Sequence, residues 1–209
     1  MELKIADQAR GIRIISGSLA KSRRNLLNKL IEIAESEGFE EIILPSVEPS
    51  SLYVNRAGAE ILEQMYVFLD KKDRQLCLRP EGTATIQLIA DKHFKKQSDL
   101  KLWYFERCWR YEKPQQGRYR EFFQFGMEVI NPSSQKWKSQ LLTLAERMVS
   151  IQTSDYLVAD SVKRGLDYYT SEGFEISVEK LGAQKQVVGG GAYRQGIGFA
   201  IGFDRLMLC

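Results

Sequence analysis

Cys108-Trp109-Arg110-Tyr111-Glu112-Lys113-Pro114-Gln115-Gln116-Gly117-Arg118-Tyr119-Arg120-Glu121-Phe122-Phe123-Gln124-Phe125-Gly126-Met127-Glu128 is the stretch on which the fold turns. Strand formers flank its loop on both sides: Trp103-Tyr104-Phe105 and Cys108-Trp109 before it, Phe122-Phe123, Phe125, Met127, Val129 and Ile130 after it. Pro, Gly and Gln fill the turn between them, so the pattern predicts a hairpin with charge at its tip. Arg110 falls on one strand, Gln124 and Glu128 on the other. Side chains alternate across a strand, which puts Gln124, Gly126 and Glu128 on one face, an amide and a carboxylate with open space over the glycine between them. With the basic loop beside it, that face suits a polyphosphate and an amino acid.

Composition bounds the rest. The 209 residues, 44% of them hydrophobic, can bury one sizeable core, and no Pro/Gly/Ser-rich linker divides them, so residues 1–209 read as a single domain. No run of roughly 18 apolar residues occurs and the N-terminus lacks a signal peptide's apolar stretch, so a soluble, cytoplasmic protein without membrane contact is expected. Cys77, Cys108 and Cys209 are odd in number, far apart and form no CxxC pair, which argues against a disulfide framework or a zinc site. His93, the single histidine, has no second imidazole near it and reads as a surface helix residue. The net charge of +3 permits an anionic ligand but does not by itself indicate nucleic acid.

Working outward from the hairpin, Leu19 to Gly38 carries Leu26, Leu27, Leu30, Ile31, Ile33 and Ala34 at helical spacing between Ser18 as cap and Gly38 as stop. Phe39 to Val47 follows as a strand in which Pro45, after Ile42-Ile43-Leu44, marks an edge or an interface. Tyr66 to Leu69 and Gln75 to Leu78 form a second hairpin around Asp70-Lys71-Lys72-Asp73, and Ala84 to Phe94 is helical. Gln135 to Ile151 repeats the helical pattern through Trp137, Leu141, Leu144, Ala145, Met148 and Val149. Strands around Phe174 to Val178 and Gln186 to Val188, a glycine run and a turn of helix from Phe203 complete the chain. No internal repeat is visible. Hairpin-linked strands predict a mostly antiparallel sheet with helices packed on it, an α+β architecture.

Five of these segments, in this order, resemble the class II aminoacyl-tRNA synthetases. Pro45 in its strand, the hairpin from Arg110 to Glu128, and Gly198-Phe199-Ala200-Ile201-Gly202-Phe203-Asp204-Arg205-Leu206 correspond to the three motifs of that class. Leu78-Arg79-Pro80-Glu81-Gly82-Thr83 and Arg164-Gly165-Leu166-Asp167-Tyr168-Tyr169-Thr170 are similar to stretches of histidyl-tRNA synthetases in particular. The resemblance implies the class II catalytic fold, ATP with Mg2+ as cofactors, L-histidine as substrate, tRNA reached through its acceptor end, and a homodimer.

It also implies roles. Arg110 would grip the α-phosphate and the amino-acid carboxylate, and Arg205 the adenine and γ-phosphate; guanidinium forks to oxygen pairs and stacks flat on a ring. Glu112 with Arg118 or Arg120 would touch the adenine edge and the γ-phosphate. Arg164 would contact the α-phosphate where other class II enzymes place a divalent ion, so no protein metal site is implied. Glu81 and Thr83 would bind the α-ammonium beside Gln124, while Glu128 and Tyr169, with Tyr168 and Tyr193 close by, would hold the imidazole. Buried polar partners of that kind reject apolar side chains, which would leave them unpaired. Gly190, in Val188-Gly189-Gly190-Gly191-Ala192-Tyr193, would keep the pocket floor clear.

The departures from the family pattern are as specific as the matches. Residues 1–209 are expected to hold neither the family's domain-sized insertion before the Arg164 segment, where only Gln152 to Lys163 bridge the gap, nor its anticodon-gripping domain. Ala192 stands in place of the family's arginine and Arg194 in place of its acid. The expected activity is ATP-dependent activation of L-histidine to histidyl-adenylate, with transfer to tRNA, reached by loop residues such as Gln115 and Gln116, or to another acceptor. The alternatives are a non-catalytic histidine-binding paralogue resembling the regulatory subunit of ATP phosphoribosyltransferase, and a dimerisation module; neither explains three retained phosphate-facing arginines.

Overall fold

The computed structural model of the chain describes residues 1–3, 8–54, 56, 59–162 and 168–209. In chain order the elements are β1 (Glu2–Leu3), β2 (Ile14–Ile15), α1 (Gly17–Ser36), β3 (Glu40–Glu41), β4 (Val47–Pro49), α2 (Ser51–Val54), α3 (Ala59–Gln64), β5 (Val67–Leu69) and β6 (Gln75–Leu78). There follow α4 (Thr83–His93), β7 (Leu100–Trp109), β8 (Glu121–Ile130), α5 (Trp137–Val149), β9 (Leu157–Val162), β10 (Gly173–Ser177), a 3-10 turn (Glu179–Gln184), β11 (Gln186–Tyr193), β12 (Gly196–Gly202) and α6 (Phe203–Leu206).

Seven strands form the main sheet in the order β3-β7-β8-β12-β11-β10-β9. The long pair β7 and β8 runs in register from Leu100 opposite Ile130 to Trp109 opposite Glu121, which is the predicted hairpin. At one edge β3 joins β7 in parallel, so the sheet is mixed, and the expectation of a mostly antiparallel sheet missed that edge. A parallel neighbour requires a crossover, and the chain between β3 and β7 supplies one through the small sheet β4-β6-β5 and α4.

Alternation along the central strands divides the molecule into two layers of contacts. Trp103, Phe125, Met127, Val129, Ile197, Phe199 and Ile201 face α1 and α5, where they meet Leu26, Leu30, Leu141 and Met148 in the main core. Leu102, Tyr104 and Ile130 face the other way, toward Ile86 and Ala90 of α4. On this second face β8, β12 and β11 present small residues, Gly126, Gly198, Ala200, Gly189 and Gly191 among them, so the sheet there lies open to a ligand or to aromatic side chains from neighbouring elements. Arg79, wholly buried, donates to the carbonyls of Pro45 at 2.7 Å and Arg107 at 2.9 Å and pairs with Glu106 at 2.6 Å, while Glu106 accepts from the Leu44 N–H at 2.6 Å. That buried ion pair ties the Leu44 to Ser46 segment to β7.

Element boundaries largely follow the periodicity, with informative exceptions. Helix α1 starts two residues before the expected site, with Ser16 at its N-cap, and ends at Ser36, two residues before Gly38, which adopts φ 77°. Of the expected Phe39 to Val47 strand only Glu40 and Glu41 form the ladder with β7; the Ile42 N–H still bonds the Trp103 carbonyl of β7, but the Leu44 N–H turns to the Glu106 carboxylate and the pairing ends there. The glycine run extends the strand begun at Gln186 as far as Tyr193, and Gly196–Gly202 is a strand that composition alone did not announce. The bridging stretch after α5 forms edge strand β9. His93 ends α4 in an exposed position, and all three cysteines are free thiols. Among the described residues no helix is long and apolar enough to cross a membrane.

Candidate active site

A cleft of about 290 Å3 opens on the small-residue face of the sheet. Glu81, Thr83, Gln124, Tyr168 and Tyr169 line it as one group and Glu112, Arg118 and Arg205 as another; Arg110 lies between them, beside both Pro80 and Arg205. Residues separated by more than a hundred positions thus converge because β8, β12 and β11 are neighbours in the sheet.

Glu81 sits just ahead of α4 and takes up two of the N–H groups that a helix start leaves unpaired. Its carboxylate accepts from Thr83 N at 2.7 Å and Ala84 N at 2.8 Å, with the Tyr168 hydroxyl at 3.5 Å. Burial raises its pKa, opposed by those hydrogen bonds and by the charge of Arg110. Thr83 in turn donates its hydroxyl to Glu128 Oε1 at 2.8 Å, and Tyr193 donates to Glu128 Oε2 at 2.9 Å. Burial pushes the Glu128 carboxyl up to about 8, and the Glu81 charge adds to the rise. Gly198 gives Glu128 its space: a Cβ there would stand 1.8 Å from Oε2. A carboxylate has capacity for about four donors, so Glu81 retains acceptor positions for an ammonium group.

Between the two groups, Arg110 lies one residue beyond β7, donates from Nε to the Pro80 carbonyl at 2.9 Å and has its guanidinium 5.3 Å from the centre of the Phe122 ring. Arg205, in α6, reaches the carbonyls of Gly117 at 2.8 Å and Gln186 at 2.9 Å and the Gln184 amide oxygen at 3.0 Å. Neither arginine forms an ion pair among the described residues. Burial lowers the pKa of Arg205, and the positive charge of Arg110 lowers it further. Two guanidinium groups that repel one another across a cleft are satisfied by an anion between them. Arg118 is ion-paired with Glu112 within the loop.

Several predicted residues stand elsewhere than expected. Gly126 has no open space over it: the Tyr104 ring fills it, with its ζ carbon 2.0 Å from where a Cβ would be. Tyr104 was not anticipated, although the glycines at 82 and 126 are its signal, since both make room for the same ring. Gly190 faces the main core, against Phe174 and Phe199; by alternation its neighbours Gly189 and Gly191 face the cleft side, where Gly191 accommodates Tyr169. Glu128 and Tyr193 lie behind Thr83 rather than on the cleft wall. Arg120 turns away, stacking on Tyr111 at 3.8 Å and donating to the Glu112 carbonyl at 3.0 Å. Arg164 lies outside the described residues.

The sequence model of the histidyl-tRNA synthetase family matches residues 11–159. Histidine–tRNA ligase of Archaeoglobus fulgidus is 28% identical over 306 aligned positions that span 96% of this chain and 75% of the relative. That of Methanoregula boonei is 30% identical over 302 positions, spanning 95% and 74%. Both alignments are longer than the 209 residues here, so these relatives hold a long segment for which this chain has no counterpart. Apo histidyl-tRNA synthetase of S. aureus superposes with a TM-score of 0.81 at 25% identity, covering 98% of this chain and 70% of that one. A protein of Bacillus halodurans described as an ATP phosphoribosyltransferase regulatory subunit/histidyl-tRNA synthetase superposes at 0.82 with 16% identity, over 100% of this chain and 84% of that one, a likeness of fold.

Proposed function

Because the chain belongs to the histidyl-tRNA synthetase family, we propose that it activates L-histidine with ATP, forming histidyl-adenylate and releasing pyrophosphate, and passes the histidyl group to tRNA or another acceptor. The observation that carries this reading is the pair Arg110 and Arg205, both facing the cleft and neither ion-paired with a carboxylate among the described residues. A pocket that only held histidine would have one carboxylate to match, which a single guanidinium satisfies; a triphosphate needs more.

In this reading a histidine carboxylate oxygen attacks the α-phosphorus, a new P–O bond forms, and the bond to the pyrophosphate oxygen breaks. Charge builds on the transferring group, and Arg110 would stabilise it while holding the attacking carboxylate in line. Arg205, anchored by three hydrogen bonds, would offer its flat face to the adenine and its edge to the terminal phosphate. Mg2+ would arrive with the nucleotide and neutralise its phosphate oxygens; among the described residues no cluster of three or more His, Cys, Asp or Glu offers it a cage. Glu81 and Thr83 would take the α-ammonium, Gln124 lying beside them, and the Tyr168 and Tyr169 rings would enclose the side chain.

Family membership further supports a homodimer. Ile43 is 81% exposed and Val47 44%, an apolar margin on the segment that corresponds to the class II subunit interface.

ATP–pyrophosphate exchange tests the proposal, since it reports adenylation without an acceptor. Exchange with histidine alone among the twenty amino acids is expected, and Arg110→Ala should reduce it roughly 100-fold or more. No exchange, with histidine still binding by calorimetry, would mean a histidine-binding paralogue without catalysis.

A further inference from the structure

The N-terminal segment crosses the nucleotide end of the cleft. Gly11, at φ 81°, offers its carbonyl to the N–H of Arg120 at 2.9 Å, and a Cβ there would strike the Arg120 and Pro114 side chains, at 2.8 and 2.9 Å. Two residues on, the Arg13 guanidinium lies 3.4 Å from the centre of the Tyr119 ring, which lines the cleft. Its Nη2 donates to Asp204 Oδ1 at 2.5 Å. Arg23, between the Phe123 and Phe203 rings, donates to the same oxygen at 2.6 Å, and Asp204 Oδ2 accepts from the Phe123 N–H at 2.7 Å.

Asp204 is the anomaly in this cluster. It lines a cleft whose guanidinium groups favour an anion and whose other carboxylate there, Glu112, is paired with Arg118; a bare carboxylate would repel a polyphosphate. Two guanidinium groups facing one carboxylate reverse the local sign. The loop from Arg110 to Arg120 is at the same time held at three points: Gly117 by Arg205, Tyr119 by Arg13 and Arg120 by Gly11. A loop held before the ligand arrives loses less freedom when it binds.

We propose that Arg13 is a positioning residue for the nucleotide: it masks Asp204 and fixes Tyr119 on the cleft wall, while leaving the histidine end untouched. The inference rests on the reading of the cleft as an ATP site. Its test is calorimetry of MgATP and of L-histidine, titrated separately into the intact chain as wild type, Arg13→Ala and Arg13→Lys. Arg13→Ala should bind ATP roughly ten-fold more weakly and histidine within about two-fold of wild type, a loss on the scale of one charge-assisted contact. Arg13→Lys, which keeps the charge but loses the flat stack, should fall between them. In an Asp204→Asn background, with no charge left to mask, the Arg13→Ala effect should shrink.

Equal ATP affinity in wild type and Arg13→Ala overturns the inference alone, as does an equal weakening of both ligands. A wild type that binds no ATP overturns both the inference and the functional reading beneath it. Should Arg13→Ala fail to fold, Arg13→Lys decides: a selective loss of ATP affinity supports the role, and an unchanged affinity overturns it.

Discussion

Between about pH 4.5, the ordinary value for a glutamate, and about pH 8, the folded chain keeps a proton on Glu128 that the unfolded chain has released. The folded state binds more protons across that window, so the stability contributed by this group is fully present below it and is lost as pH rises through it. This is the reverse of a salt-bridged carboxylate. Glu81 and Glu48 are also raised, both chiefly by burial, and push stability the same way. Glu128→Gln keeps the shape and the partners Thr83 and Tyr193 while removing the titration, so part of the fall should flatten. Urea denaturation at the two ends of the window checks it, and a decline as steep as in wild type would count against a protonated Glu128. At this scale Arg110, Glu81, Thr83 and Gln124 were legible because each stands in a recognisable local string. Arg13 was not: its partner Asp204 is 191 positions away, and no local pattern links them.

Among elements, the β7 to β8 hairpin organises the site, and Tyr104 is the side chain that wedges it against α4. Its ring occupies the places where Gly82 and Gly126 lack a Cβ. Gly126→Ala is therefore expected to cost about 1–3 kcal/mol of stability through overpacking, read as a lower denaturation midpoint with an unchanged slope. Were Gly126 instead a clear floor for ligand, the same variant would lose affinity and keep its midpoint. The strand pattern correctly put Gln124, Gly126 and Glu128 on one face. It gave no hint of what covers that face, because the cover comes from β7, which presents Tyr104 directly opposite Gly126.

The whole molecule leaves Ile43 and Val47 exposed on a segment that the Arg79–Glu106 pair ties to β7. A homodimer at micromolar concentration is expected by light scattering, and Ile43→Asp should shift it toward monomer, since a carboxylate buried across an interface lacks a partner. A wild-type monomer, or an Ile43→Asp dimer of unchanged affinity, would refute the assignment of this face. Edge strand β9 shows the limit of reading organisation from motifs: the stretch after α5 looks like a mere bridge in the sequence. It becomes a strand because β10 offers it a partner.

The family, the central hairpin, the apolar faces of α1 and α5 and most of the groups gathered in the cleft are legible in the order of amino acids alone. These follow from side-chain periodicity and from strings a few residues long, both of which are local. Tertiary structure alone decided that β3 runs parallel at the sheet edge, that Gly190 faces the core, that Arg120 turns to Tyr111, and that Arg13 and Arg23 share Asp204. Each depends on which strands become neighbours or on which face a long side chain finds its partner, and such contacts join parts of the chain that exert no influence on one another until it folds.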